Sequence, residues 1–225
     1  MNLVASLDFL AQLNKNNNRE WFQANKALYQ EAKAEFETYI NILIPRLKEI
    51  DPDLDIFHAR ECVFRLFRDV RFAKDKSPFK TNFGAFMARG GRKSPYAGYY
   101  IHLQPGNSFI GGGSYMPQGA YLKAIRTEIY EHSETYKKII SKPAFKQVFP
   151  EIYGEKLKSA PRDFPKDWPD IDLIRNKHFT VTQAVDDAFW HSGDIHEKVL
   201  KVFKVQYPLN QFLNEALSRV NPRDR

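Results

Sequence analysis

The sequence predicts an α+β fold: N-terminal helices, a central, largely antiparallel sheet of about four to five strands, and C-terminal helices. Three observations predict it. Apolar residues recur at helical spacing over the first fifty residues. Four short apolar segments between residues 62 and 112 are then joined by loops and not by helices, which favours antiparallel pairing. Helical periodicity returns after residue 120.

Ser6 is placed to cap a short helix through about Leu13, which Asn16, Asn17 and Asn18 end. Asn18 caps the next helix. From Arg19 to about Ile50, Trp21, Leu28, Ala32, Phe36, Tyr39, Leu43 and Leu47 form one apolar stripe. Pro45 is expected to kink or split this helix. Residues 62–67 read as a strand with Phe64 and Leu66 on one face and Val63, Arg65 and Phe67 on the other. Residues 68–80 are irregular and charged, and residues 81–87 read as a second strand. Residues 98–104 and 108–112 form a hairpin around Pro105, Gly106 and Asn107. Helices are predicted at 120–131 and 134–149, a short helix at 170–176 and a strand at 178–182. Asp194 caps a helix to about Val205, and Pro208 opens a last one through Leu217.

A chain of 225 residues with 43% hydrophobic content buries a core without disulfides, and one domain over 1–225 is the simplest reading. No stretch approaches the ~18 apolar residues of a spanning helix, so no membrane partner is expected. Cys62 is the single cysteine, which excludes a disulfide scaffold and reads as a buried packing residue. The first residues, Asn2 to Asp8, have no basic region and no long apolar core, and the expected location is cytoplasmic.

The net charge of +7 is local. Residues 60–93 hold ten basic side chains against Glu61, Asp69 and Asp75, which accounts for all of it. An anionic partner near this segment follows, or a solvated loop with internal ion pairs. Arg65, Arg68, Arg71, Lys76 and Lys80 are the candidate ligand-binding cations, joined by Lys74 within the same run. Arginine supplies planar paired donors for carboxylate or phosphate, and lysine supplies point charge. Asp69 and Asp75 either position these cations or tie them into a rigid loop.

Three further groups carry chemistry-capable residues. Gly111, Gly112 and Gly113 lie before a helix, but neither a phosphate-binding Gly-Lys-Ser/Thr nor a GxGxxG spacing is present, so a strand bend with close chain approach is favoured. Tyr100, His102 and Gln104 alternate onto one strand face, where His and Tyr serve either acid–base roles or sheet packing. Asp186, Asp187, His191, Asp194 and His196 match no zinc spacing, and no metal site is assigned.

The segments Asn17 to Phe22 and Phe64 to Thr81 resemble the uncharacterised family known as domain of unknown function 2461. So do Gly98 to Leu103, Pro117 with Leu122 to Arg126, Leu157 to Arg162, and Pro169 to Ile174. The similarity covers nearly the whole chain. Phe79 stands where the family pattern leads us to expect tyrosine, and Trp168 where it leads us to expect histidine. A catalytic role of that histidine elsewhere in the family could not operate here. The resemblance implies one domain and no known activity.

The function expected from the residues is binding, or enzymatic conversion, of an anionic phosphate-bearing small molecule by segment 65–80. Tyr100 and Arg126 complete the ligand-binding set, and Asp69, Asp75 and His102 are the catalytic candidates. Mg²⁺ on Asp69 and Asp75 is compatible with phosphate chemistry but has no ligand pattern behind it. One alternative is a nucleic-acid-binding module, with Phe67, Phe72 and Phe79 interleaved among the cations. Another is a protein-interaction adaptor built on the long helix, which would expose an apolar patch. No oligomeric state is assigned.

Overall fold

The computed structural model describes residues 2–220; Met1 and residues 221–225, the two ends of the predicted domain, lie outside the described residues. Four helices come first: α1 (Val4–Lys15), α2 (Arg19–Ala24), α3 (Lys26–Lys48) and α4 (Ala59–Cys62). Strands β1 (Phe83–Met87), β2 (Gly98–Leu103) and β3 (Ser108–Ser114) follow. Next come α5 (Gly119–Glu131), α6 (Ser133–Ser141) and α7 (Pro143–Val148), and a 3₁₀ turn over Ile171–Ile174. The described chain closes with β4 (Phe179–Val185), α8 (Asp187–His191) and α9 (Ile195–Ser218). The strands form one antiparallel sheet in the order β1-β2-β3-β4. This is the predicted α+β architecture.

Strand alternation divides the sheet into two faces. Phe83, Ala85, Met87, Tyr99, Ile101, Leu103, Ile110 and Val181 are buried on the inner face. Helices cover that face. Phe83 stacks against Phe36 of α3 at 5.4 Å and Phe9 of α1 at 6.2 Å, and Tyr99 packs on Phe203 of α9 at 4.9 Å. Gln206 of α9 donates to the carbonyl of Gly98 at 2.9 Å, and Asn214 of the same helix brackets Ala97 through both of its backbone groups. The outer face presents Phe86, Tyr100, His102, Phe109, Thr180 and Thr182, and it bears the cleft described below.

Several elements differ from the sequence reading. The strand expected at 62–67 is absent. Glu61 accepts the N–H groups of Phe57 and His58, at 3.0 and 2.7 Å, and the chain turns through α4 instead. Beyond α4 the segment meets the sheet where Val63 bridges Ala85 and Phe64 N–H meets the Gly84 carbonyl, and Phe67 bridges Phe79 outside it. Arg65 is consequently exposed rather than enclosed by apolar neighbours.

The helix expected at 19–50 breaks at Asn25, whose side chain donates to the Trp21 carbonyl at 2.9 Å, and it is not split at Pro45. Pro208 likewise lies inside α9 instead of opening a new helix. Leu43, Ile44 and Leu47 around the first proline, and Phe203, Leu209 and Phe212 around the second, are buried. That burial offsets the hydrogen bond each proline forfeits. Pro143 does divide the helix expected at 134–149, because Lys142 before it takes the extended conformation that proline imposes. Ser6 is no cap; it lies within α1 and bonds the Ala32 carbonyl and Glu35 of α3. Asp194 precedes α9 without a side-chain cap bond and pairs with Lys198 at 2.9 Å.

Candidate functional site

The basic segment is largely tied to itself. Arg68 pairs with Asp75, whose other oxygen accepts the Ser77 N–H at 2.9 Å and the Ser77 hydroxyl at 2.7 Å. These bonds hold the exposed Asp75 carboxyl well below the usual carboxylate range. Arg71 lies on Asp69 with two donors, at 3.0 and 2.7 Å, and this lowers the Asp69 carboxyl as well. Lys76 donates to the carbonyls of Val70, at 3.1 Å, and Arg71, at 3.4 Å, closing the loop from inside. Both candidate carboxylates are thus engaged by arginines.

Arg65 and Lys74 are exposed and pair with no carboxylate among the described residues, and of the cations from Arg65 to Lys80 only Lys80 lines a cleft. It leaves this loop and enters a cleft of about 810 Å³ on the outer sheet face. Tyr100, His102 and Phe109 form the floor at this end, with Phe86, Thr180 and Thr182 beside them. Phe64 walls one side, and the loop from Arg92 to Tyr96 and the segment from Ser114 to Gln118 rise around the rest. Eight aromatic side chains line it. Its cations are Lys80, Arg92 and Lys93, and among the described residues no Asp or Glu lines it.

The cations sit at two ends. Lys80 lies near His102, and the Arg92–Lys93 loop leads into Gly98 at the start of the same strand. Gly98 and His102 are four steps apart along β2, about 13 Å at ~3.3 Å per residue. Lys80 Nζ lies over the Phe64 ring, 5.5 Å from its centre, and has no carboxylate partner among the described residues. Burial, and then the nearby Arg65 charge, depress its ammonium below the ordinary lysine range. A half-buried cation without a counter-ion is a standing invitation to an anion. Arg92 is anchored to the Arg60 carbonyl, and Lys93 is exposed.

The floor carries a chain of hydrogen bonds. The Tyr100 hydroxyl lies 3.0 Å from His102 Nδ1, and His102 Nε2 lies 2.9 Å from Gln104 Oε1. The imidazole is clamped flat on Phe109, at 4.6 Å and 9° between planes. Gly84 makes room for the phenol, since a Cβ there would stand 2.6 Å from its oxygen. Burial pushes the Tyr100 phenol up to about 12 and depresses the His102 imidazole, whose charged form Lys80 also disfavours.

The other candidates lie elsewhere. Gly111, Gly112 and Gly113 belong to β3, and a Cβ on Gly111 would stand 1.9 Å from the Val181 carbonyl oxygen, so close chain approach explains it. Arg126 does not line the cleft; it donates to the Asn176 carbonyl at 3.1 Å. Asp186 caps α8, Asp187 accepts from Gly106 N–H at 2.9 Å, and His196 bonds the Tyr39 carbonyl at 3.3 Å. Cys62 is buried, its thiol pushed up to about 12, chiefly by burial.

Arg92 and Lys93 fall within the basic segment 60–93 but are not among the site candidates that the sequence offers. Their signal is a pair of cations in a Gly/Pro-flanked loop between two strands. Phe64 and Phe109 gave no comparable signal, since each reads as an ordinary strand apolar.

No curated protein and no solved structure matches this chain. Residues 5–212 match the family model described as conserved hypothetical protein (DUF2461), and the chain belongs to that family.

Proposed function

We propose that the protein binds a small anionic molecule, bearing a phosphate or carboxylate, in the cleft over the outer face of the sheet. One observation carries this reading: the lining holds Lys80, Arg92 and Lys93 and, among the described residues, no carboxylate. Lys80 supplies point charge from a desolvated position, and Arg92 supplies a planar donor fork at the far end. The many rings favour a ligand with a flat, apolar part between its polar ends. Among the candidates Arg65, Arg68, Arg71, Lys76 and Lys80, the role of anion ligand falls to Lys80, which alone of the five lines the cleft, while Arg68, Arg71 and Lys76 are engaged inside the loop.

The test is a thermal-shift screen of nucleotides, sugar phosphates, polyphosphate and organic carboxylates, with and without Mg²⁺, on wild type and Lys80→Met. A ligand present at 100 times its Kd should raise the midpoint by roughly 5–10 °C. Lys80→Met should keep its fold and weaken that ligand by about tenfold or more, equivalent to ~1.4 kcal/mol. No shift with any anion, or an unchanged Kd in the variant, overturns the reading.

A second reading rests on Phe72, which is 96% exposed beside Arg71 and Lys74. An exposed ring among cations suits stacking on a single-stranded nucleic acid. In that case short oligonucleotides alone would bind. Their affinity would fall linearly with salt on logarithmic axes, and Phe72→Ala would weaken it.

A further inference from the structure

We propose that Tyr100 is a base-activated nucleophile on the floor of the cleft, with His102 as its base and Gln104 as the group that orients the base. This adds a reaction to the proposed binding site and rests on that reading for its substrate class alone.

The hydrogen-bond pattern assigns the protons. Asn82 Nδ2, which can only donate, lies 3.4 Å from His102 Nδ1. Nδ1 therefore holds a lone pair, and the Tyr100 O–H donates to it at 3.0 Å. The other ring nitrogen carries the hydrogen and donates to Gln104 Oε1 at 2.9 Å. Gln104 is itself pinned: its amide nitrogen donates to Thr81 Oγ1 at 3.3 Å, and Asn107 donates to its oxygen at 3.4 Å. A nucleophile within reach of a base, with the base oriented by a third group, is the general arrangement of an activated hydroxyl.

The surroundings suit this assignment. Tyr100 keeps its proton at neutral pH because burial raises the phenol, so it needs a base to react. His102 is neutral there and free to act as one, because burial and Lys80 disfavour its cation. Lys80 and Tyr115 are the other titratable groups that bear on this pair, and Lys80 would offset the charge gathered on an attacked phosphoryl group.

The substrate class is a phosphate ester whose anion rests on Lys80. Tyr100 Oη attacks phosphorus; the O–P bond forms as the bond to the leaving oxygen breaks. The phenol proton moves to His102 Nδ1, and the imidazolium returns it to the leaving oxygen. Water then attacks phosphorus, the tyrosyl O–P bond breaks, and a water proton passes through His102 back to Tyr100. The products are an alcohol and phosphate.

The test uses an aryl sulfonyl fluoride, which gives an O–S bond and releases fluoride when a tyrosine hydroxyl loses its proton to a neighbouring base. Peptide mapping by mass spectrometry reads each tyrosine separately. Tyr115 and Tyr153 line the same cleft and are 67% and 56% exposed, so labelling governed by access alone would reach them first. Tyr100 should instead be labelled fastest. His102→Phe keeps a flat ring on Phe109 and should slow Tyr100 by about 100-fold, the low end of what a positioned base supplies, without changing Tyr115 or Tyr153. Should that variant unfold, Gln104→Leu and Gln104→Glu keep the imidazole: the first should slow Tyr100, and the second should restore it. Faster labelling of Tyr115 or Tyr153, or a Tyr100 rate that ignores His102 and Gln104, overturns the proposal. If anions still stabilise the protein in that event, the binding reading survives; labelling of Tyr100 without any anion shift would sink the binding reading and the phosphate-ester substrate with it, and leave the base-activated tyrosine standing.

Discussion

Arg68 and Asp75, seven residues apart, close the basic loop on itself through an ion pair and a second contact from Arg68 Nη2 to the Asp75 carbonyl. Asp75 also accepts two bonds from Ser77, so one carboxylate organises both ends of the turn. Arg68, one of the cations the sequence offers as an anion ligand, is thus held in loop geometry.

Arg68→Ala should therefore loosen the loop without emptying the cleft. Limited trypsin digestion should cut after Arg71 and Lys74 faster in the variant than in wild type, while anion affinity stays unchanged. A folded Arg68→Ala protein that loses anion binding would move the site from the cleft to the loop.

Stability should fall with acid in two separate windows. His102 and His196 are both held below the ordinary imidazole value, chiefly by burial. Between that value and their folded values, the unfolded chain binds more protons than the folded one. Their contribution is complete above about pH 6.5 and is lost as pH falls through the folded values. Asp69 and Asp75 are depressed carboxylates, and their contribution is lost only below about pH 3.9. Urea midpoints measured from pH 7 to pH 5 should decline in wild type and decline less in His102→Phe. Parallel curves would mean that His102 titrates alike in the folded and unfolded chains.

The glycines of β3 make a stability prediction with an internal control. Gly111→Ala places a methyl group against the Val181 carbonyl and must force β3 and β4 apart, at about 3 kcal/mol or more. Gly119→Ala, at the first position of α5, meets nothing within 4 Å. It should be neutral or stabilising by up to ~1 kcal/mol. Urea denaturation of both variants checks the contrast, and equal midpoints would remove the packing explanation for the triplet.

Local patterns were legible where local forces decide. The hairpin at 98–114 follows from alternation around Pro105, Gly106 and Asn107, and Asn18 caps α2 as expected, accepting the Trp21 N–H at 2.8 Å. Tyr100, His102 and Gln104 share a face because side chains alternate along a strand. Residues 62–67 misled because their apolar alternation resembles a strand, while Glu61 turns the backbone just before it. Pro45 and Pro208 misled because burial of their neighbours outweighs a local penalty, whereas at Pro143 the local rule prevailed.

Fold class, most of the helices and strands, the family, and the segment that carries the excess charge can all be read along the chain. Those depend on periodicity and composition, which are properties of neighbours in the chain. Packing across the fold set which cations are engaged by carboxylates, as Arg68 and Arg71 are, and which one stands half-buried in a cleft without one, as Lys80 does. It joined Phe64, Lys80, Arg92, Tyr100 and Tyr153 around one cleft, from segments far apart in sequence. An ion pair or a cavity wall depends on distances across the fold, so Arg68 and Lys80 look alike as residues and differ only in where the packed chain leaves them.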